Sequence, residues 1–170
     1  MKKATPAQYD TVLVRIKPDG GPLPSQLLNS ESVLFQSQLS HCVVTESGLQ
    51  VAQVRAIFTL PPQLATYDHP LVYIEWFNAT RAPADATGLY RVSRAHDRGG
   101  ARSASVIPIT RIERSCHLVP RFGRAVSRSW KTDKVLELCK DFYINHYLRH
   151  HDFVLFVEEI LYSSTAHRKI

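Results

Sequence analysis

Tyr73, Glu75 and Phe77 alternate along one extended stretch, so two rings and a carboxylate share a strand face opposite Val72, Ile74 and Trp76. Such a face could hold an alkylated ammonium by cation–π attraction, worth about 0.5–2 kcal/mol per ring. With Tyr90 added, the rings would line a groove for a peptide or protein partner. The competing reading is plainer: Tyr73 and Phe77 cover a second layer of core while Glu75 pairs with an arginine.

A second chemistry lies in charge. The chain of 170 residues carries a net charge of +6, unevenly placed. Between Arg81 and Lys131 eleven Lys/Arg stand against Asp85, Asp97 and Glu113, an excess of eight, and ten of the eleven are Arg. Guanidinium is a planar fork suited to carboxylate or phosphate, and it stacks on rings. Arg91, Arg94, Arg98, Arg102, Arg121, Arg124, Arg128 and Lys131, with Tyr90, Phe122 and Trp130 interleaved, are the candidate anion or nucleic-acid contacts. The alternatives are a solvated positive face and local ion pairs, with Arg111 and Arg114 pairing to Glu75, Glu113 or other nearby acids.

Catalysis and metal binding find little support. There is no Gly-x-Ser-x-Gly, no phosphate-binding glycine loop and no His-Glu-x-x-His. Asp152 beside His150 and His151 is a weak acid–base signal in a chain with eight His. Cys42, Cys116 and Cys139 are far apart and lack the tight pairing of zinc sites, so they read as free thiols, with Cys116 and Cys139 packed as small apolar groups. His146 and His150 would share a metal only on a helix, and Tyr147-Leu148 suggests a turn. No cofactor, metal or small-molecule substrate is expected.

The elements that position these residues read as mostly β. Apolar residues at 44% and charged residues at 21% are ordinary for one globular domain. Residues 49–60 alternate Ala52, Val54, Ala56, Phe58 and Leu60 against Gln53, Arg55 and Thr59, which predicts a strand with one buried and one wetter face. Pro61-Pro62 ends it, and residues 71–77 form its partner. Further strands are expected at 11–17, 32–39, 42–46, 88–93, 103–107, 116–119, 142–145 and 153–157, with a turn of helix within 109–114. Thr132 suits an N-cap and Asp133 the first turn, so residues 133–140 are the expected helix. The sum is a small curled β-barrel with one helix near the C-terminus, spanning 9–162 between a mobile tail at 1–8 and a polar tail at 163–170. No apolar run is long enough to span a bilayer, no apolar leader follows the N-terminal lysines, and the compartment expected is intracellular.

Taken together, these pieces resemble a bromo-adjacent homology (BAH) domain, a curled barrel with an SH3-like core found in chromatin proteins. The matching segments are Val51-Ala52-Gln53-Val54-Arg55-Ala56-Ile57-Phe58, Val72-Tyr73-Ile74-Glu75-Trp76-Phe77, the run from Ile107-Pro108-Ile109 to Cys116-His117-Leu118-Val119, and Asp141-Phe142-Tyr143. Arg114-Ser115-Cys116-His117-Leu118-Val119-Pro120, and the segment from Phe142-Tyr143-Ile144-Asn145 to His151-Asp152-Phe153, are similar to a domain near the C-terminal end of transposon-encoded proteins of mushroom-forming fungi (the Plavaka and Kyakuja-Dileera-Zisupton groups). The resemblance implies a non-catalytic, nuclear binding module that meets a protein or histone-tail peptide. DNA or RNA is the alternative partner, and a structural docking domain of a transposon protein the third reading.

Overall fold

The computed structural model describes residues 10–16, 48–63, 67–79, 84, 87–123, 125, 130–131, 134–148, 150–151, 153–154 and 156. The strands expected at 32–39 and 42–46, and the two tails, lie outside these residues. The architecture is mostly β, a curled antiparallel half-barrel of eight strands, as the alternation in the sequence leads one to expect. The strands are β1 (Thr11–Arg15), β2 (Leu49–Phe58), β3 (Leu71–Ala79), β4 (Arg91–Arg94), β5 (Ala104–Pro108), β6 (Ile112–Ser115), β7 (Leu118–Pro120) and β8 (Asp141–Ile144). One helical turn, α1 (Val135–Leu138), precedes β8.

Two curls share the wall β1-β2-β3. On one side the order is β6-β1-β2-β3-β5, and a single 3-10 turn, Ile109–Arg111, carries the chain from β5 to β6. This curl encloses Val12, Val14, Ile16, Ala52, Val72, Ile74, Trp76 and Ile107. On the other side β3 passes to β4, β8 and β7. There Leu13, Leu49, Val51, Phe77, Val92, Phe142 and Ile144 pack together, with Phe77 edge-on to Phe142 at 5.9 Å between centroids. Only Cys116 and His117 separate β6 from β7. Cys116 N donates to Thr11 O at 2.8 Å, and Asn145 N to His117 O at 2.8 Å. One kinked run therefore lines β1 with its first half and β8 with its second, joining the two curls.

This shared wall corrects the expectation of one dry and one wet face. Leu49 to Gln53 are all buried, as are Ile74 to Phe77, because residues of both parities meet a core. The second half of β2 departs for another reason. Ala52 pairs Trp76 and Val54 pairs Ile74, but Ala56 pairs Tyr73, so the register slips by one at Arg55. A bulge reverses which residues face which side. Ala56 and Phe58, expected beside Ala52 and Val54, instead share the face of Tyr73, and both are exposed.

The late helix is shorter than the pattern suggests. It is one turn with Lys134 at its N-cap and no side-chain cap, rather than a helix from 133 to 140. Lys134 N–Lys131 O and Cys139 N–Val135 O bonds close it, after which β8 begins. Residues 153–157, expected as a strand, are helical where they are described (153, 154 and 156), and Phe156 packs against Tyr90 at 5.9 Å between ring centroids. Their apolar run is one that periodicity cannot assign between strand and buried helix. Residues 146–148 form a 3-10 turn.

Candidate functional site

At the centre of β3, Glu75 is the hub of an ionic cluster. Arg94 Nη1 reaches Glu75 Oε2 at 2.9 Å, Arg102 Nη1 the same oxygen at 3.0 Å, and Arg55 Nε lies 3.4 Å from Oε1. Glu137 of α1 takes Arg55 Nη1 at 2.7 Å and Arg102 Nη2 at 2.5 Å. Arg94 also donates to Gln53 Oε1 and to the carbonyl of Leu136. The geometry follows from register: Gln53 and Glu75 are direct partners, Ala104 faces Glu75 from β5, and Arg94 pairs Phe77 from β4. Glu137 so fastens the helical turn to three stretches of sheet and hairpin, through Arg55, Arg94 and Arg102. Burial, followed by the charge of Arg102, pulls the Arg94 guanidinium below its ordinary value. Burial alone would push the Glu137 carboxyl up, but hydrogen bonds from Arg102 and Arg55 with the charge of Arg94 outweigh it and hold it below 4.5.

These contacts decide between the two readings of the aromatic face. Phe77 has no exposed surface, Tyr90 is buried, and Glu75 is buried and held by three guanidiniums. The four residues Tyr73, Glu75, Phe77 and Tyr90 therefore form no common open groove. Cation–π attraction is present, but its cation is internal: Arg94 Cζ stands 4.9 Å from the centre of the Phe77 ring. Phe77 lost its place on an open face because β4 and β8 cover that end of β3.

Tyr73 is the exception, at 39% exposure. Its direct neighbours are Ala56 on β2 and Val106 on β5, and the next pair along is Phe58 with Leu71. Ala56 is exposed, Val106 is 52% exposed and Phe58 37%. The three strands thus present an apolar ledge of Phe58, Ala56, Tyr73 and Val106, bordered along β3 by the ionic cluster at Glu75. Sequence reasoning missed Phe58 and Val106 as members of this face. The bulge hid the first, and cross-strand register, which one strand's pattern does not contain, hid the second.

The basic candidates scatter. Arg94 and Arg102 come together, joined by Arg55, and all three are neutralised in part by Glu75 and Glu137. Arg91 is exposed on β4, Arg98 in the hairpin turn before β5, and Lys131 ahead of α1. Arg121 lies 3.7 Å from Asp141. Arg124 and Arg128 are outside the described residues. Arg111 is turned inward, donating to the carbonyls of Arg15 and Ile16, and Glu113 pairs with Arg15 at 2.6 Å.

Among the described residues no three of His, Cys, Asp and Glu stand close enough to hold a metal ion. His146 is buried against Tyr147 and Phe156, with ring centroids 4.3 and 5.6 Å away. Cys139 is buried and its Sγ donates to Asp141 O at 2.9 Å, while Cys116 is half-buried against the core. No helix of the described residues is long and apolar enough to cross a membrane. Compared with known proteins, the chain matches no family model, no curated protein and no solved structure.

Proposed function

We propose that this protein is a non-catalytic binding module that receives a protein or peptide partner on the ledge of Phe58, Ala56, Tyr73 and Val106. The observation that carries the proposal is the exposed row Ala56–Tyr73–Val106, three apolar or aromatic side chains in direct cross-strand register at the surface. Tyrosine gives large contact area at low entropic cost and is enriched among residues that dominate binding energy. A chromatin or transposon-derived setting, with a histone tail as one partner class, is supported by the BAH-like segments quoted above. The strand order β6-β1-β2-β3-β5, with a 3-10 turn between the outer strands, is compatible with the curled barrel which that resemblance implies and bears on the fold alone. Methyl-lysine capture is not part of the proposal. The ledge has one tyrosine and one phenylalanine, and its nearest carboxylate is already held by arginines.

Nucleic acid is the weaker alternative, because Arg94 and Arg102 spend their charge on Glu75 and Glu137. The two partners respond differently to salt. Neutralising several phosphates makes affinity fall by about 10³-fold or more between 50 and 200 mM salt, whereas apolar contact is little affected. The test is a peptide-array or display screen repeated with Tyr73→Ala. Loss of about tenfold in affinity is expected, the effect of removing an aromatic anchor worth ~1.4 kcal/mol. Unchanged binding by Tyr73→Ala, with steep salt dependence, would remove the ledge from consideration.

A further inference from the structure

The ledge ends at the outer edge of β5, which pairs with β3 and with no other described strand. Ile109 N donates to Pro70 O and Trp76 N to Ser103 O, both at the ends of the register that pairs Val72 with Ile107 and Ile74 with Ser105. In an antiparallel pair every second residue turns its N–H and C=O toward the partner strand. Ser105 and Ile107 therefore face β3, and Ala104 and Val106 direct theirs to the other side. Among the described residues β5 pairs with β3 alone. Such a row of backbone donors and acceptors is a template for another strand, and proteins commonly guard it with charge. β6, the other outer strand of this curl, carries Glu113 and Arg114. β5 reads Ala-Ser-Val-Ile-Pro and has no charge at all.

We infer that an extended segment of a different protein adds to β5 as a further strand. Its backbone bonds Ala104 and Val106, and every second side chain lies across Val106 toward Tyr73. The inference rests on the ledge being the partner contact and adds how the partner is held. A second copy of this chain is the poorer occupant. An edge of five residues buries far less than the roughly 1,200 Å² of a stable interface, and each copy carries a net charge of +6. The same charge favours a segment with carboxylates between its apolar positions.

The test is a random dodecapeptide display selected on the folded protein, with the enriched peptides then synthesised. Enriched sequences are expected to alternate apolar residues with a period of two. Their affinity is expected to fall about tenfold or more for Val106→Pro, which removes an outward N–H where an edge strand tolerates proline. A comparable loss is expected when alternate amides of the peptide are N-methylated, in whichever phase faces β5, since the backbone hydrogen bonds of that phase are removed. The methylated peptides leave the protein untouched, so a folding defect of Val106→Pro cannot imitate the result. If methylation in either phase leaves affinity within about twofold while Tyr73→Ala abolishes binding, strand addition is overturned and the ledge stands. If neither change matters, or no peptide enriches, both are overturned.

Discussion

Glu75 and Tyr73 are two positions apart on one strand face, yet one is locked in an ionic cluster and the other meets solvent. The difference lies in what faces them across strands. Glu75 meets Gln53 and the arginines of the bulge and hairpin, while Tyr73 meets Ala56 and Val106. The cluster makes two predictions. Glu75→Gln removes the hub and leaves buried Arg94 without its closest carboxylate, so a loss of about 3 kcal/mol is expected in urea unfolding. Glu137→Gln, at a third exposure, should cost about 1 kcal/mol or less. A third prediction concerns pH. The Glu137 carboxyl is held below 4.5 in the folded protein, so its contribution is fully present above that value and is lost as pH falls through the lower folded one. Arg55, Arg94 and Arg102 all pair with it, and each of the three is shared with Glu75. The unfolding midpoint of the wild type should therefore drop more steeply below pH 4.5 than that of Glu137→Gln. Parallel curves would contradict the assignment.

At the scale of elements, the edge of β5 sets an expectation for the free protein. Amides of Ser105 and Ile107, bonded to β3, should exchange with solvent more slowly than those of Ala104 and Val106, measured residue by residue by NMR. Equal protection at all four would mean that the edge is covered. The strands themselves were legible: alternation located β2 and β3, the double proline closed β2, and turn residues bounded β4 and β5. Periodicity failed at three places for three reasons. Strands β1–β3 lie between two cores, so alternation does not separate wet from dry. Arg55 sits at a bulge, and a single inserted residue leaves composition unchanged while reversing the face of Ala56 and Phe58. The run beginning at Phe153 is apolar in a way that fits a strand or a buried helix equally. Of the candidate site, Tyr73 was legible. Glu75 was legible in its paired role, and the membership of Arg55 and Glu137 was not, since they are 20 and 62 positions from it and only the sheet brings them near.

For the whole molecule, the shared wall makes β1–β3 a rigid floor, and the single kinked run through Cys116–His117 ties both curls to it. A binding surface built on such a floor is presented in a fixed shape, which lowers the entropic cost of association. The ledge runs from β2 across β3 to the β5 edge, so side-chain contact and backbone pairing can serve one partner at once. The most direct measurement is residue-resolved hydrogen exchange of the protein with and without a saturating display-selected peptide. New protection is predicted at the amides of Ala104 and Val106, with chemical-shift changes at Tyr73 and Phe58. Protection confined to the 3-10 turn His146–Leu148, where Tyr147 and Leu148 are also exposed, with Ala104, Val106 and Tyr73 unchanged, would contradict it.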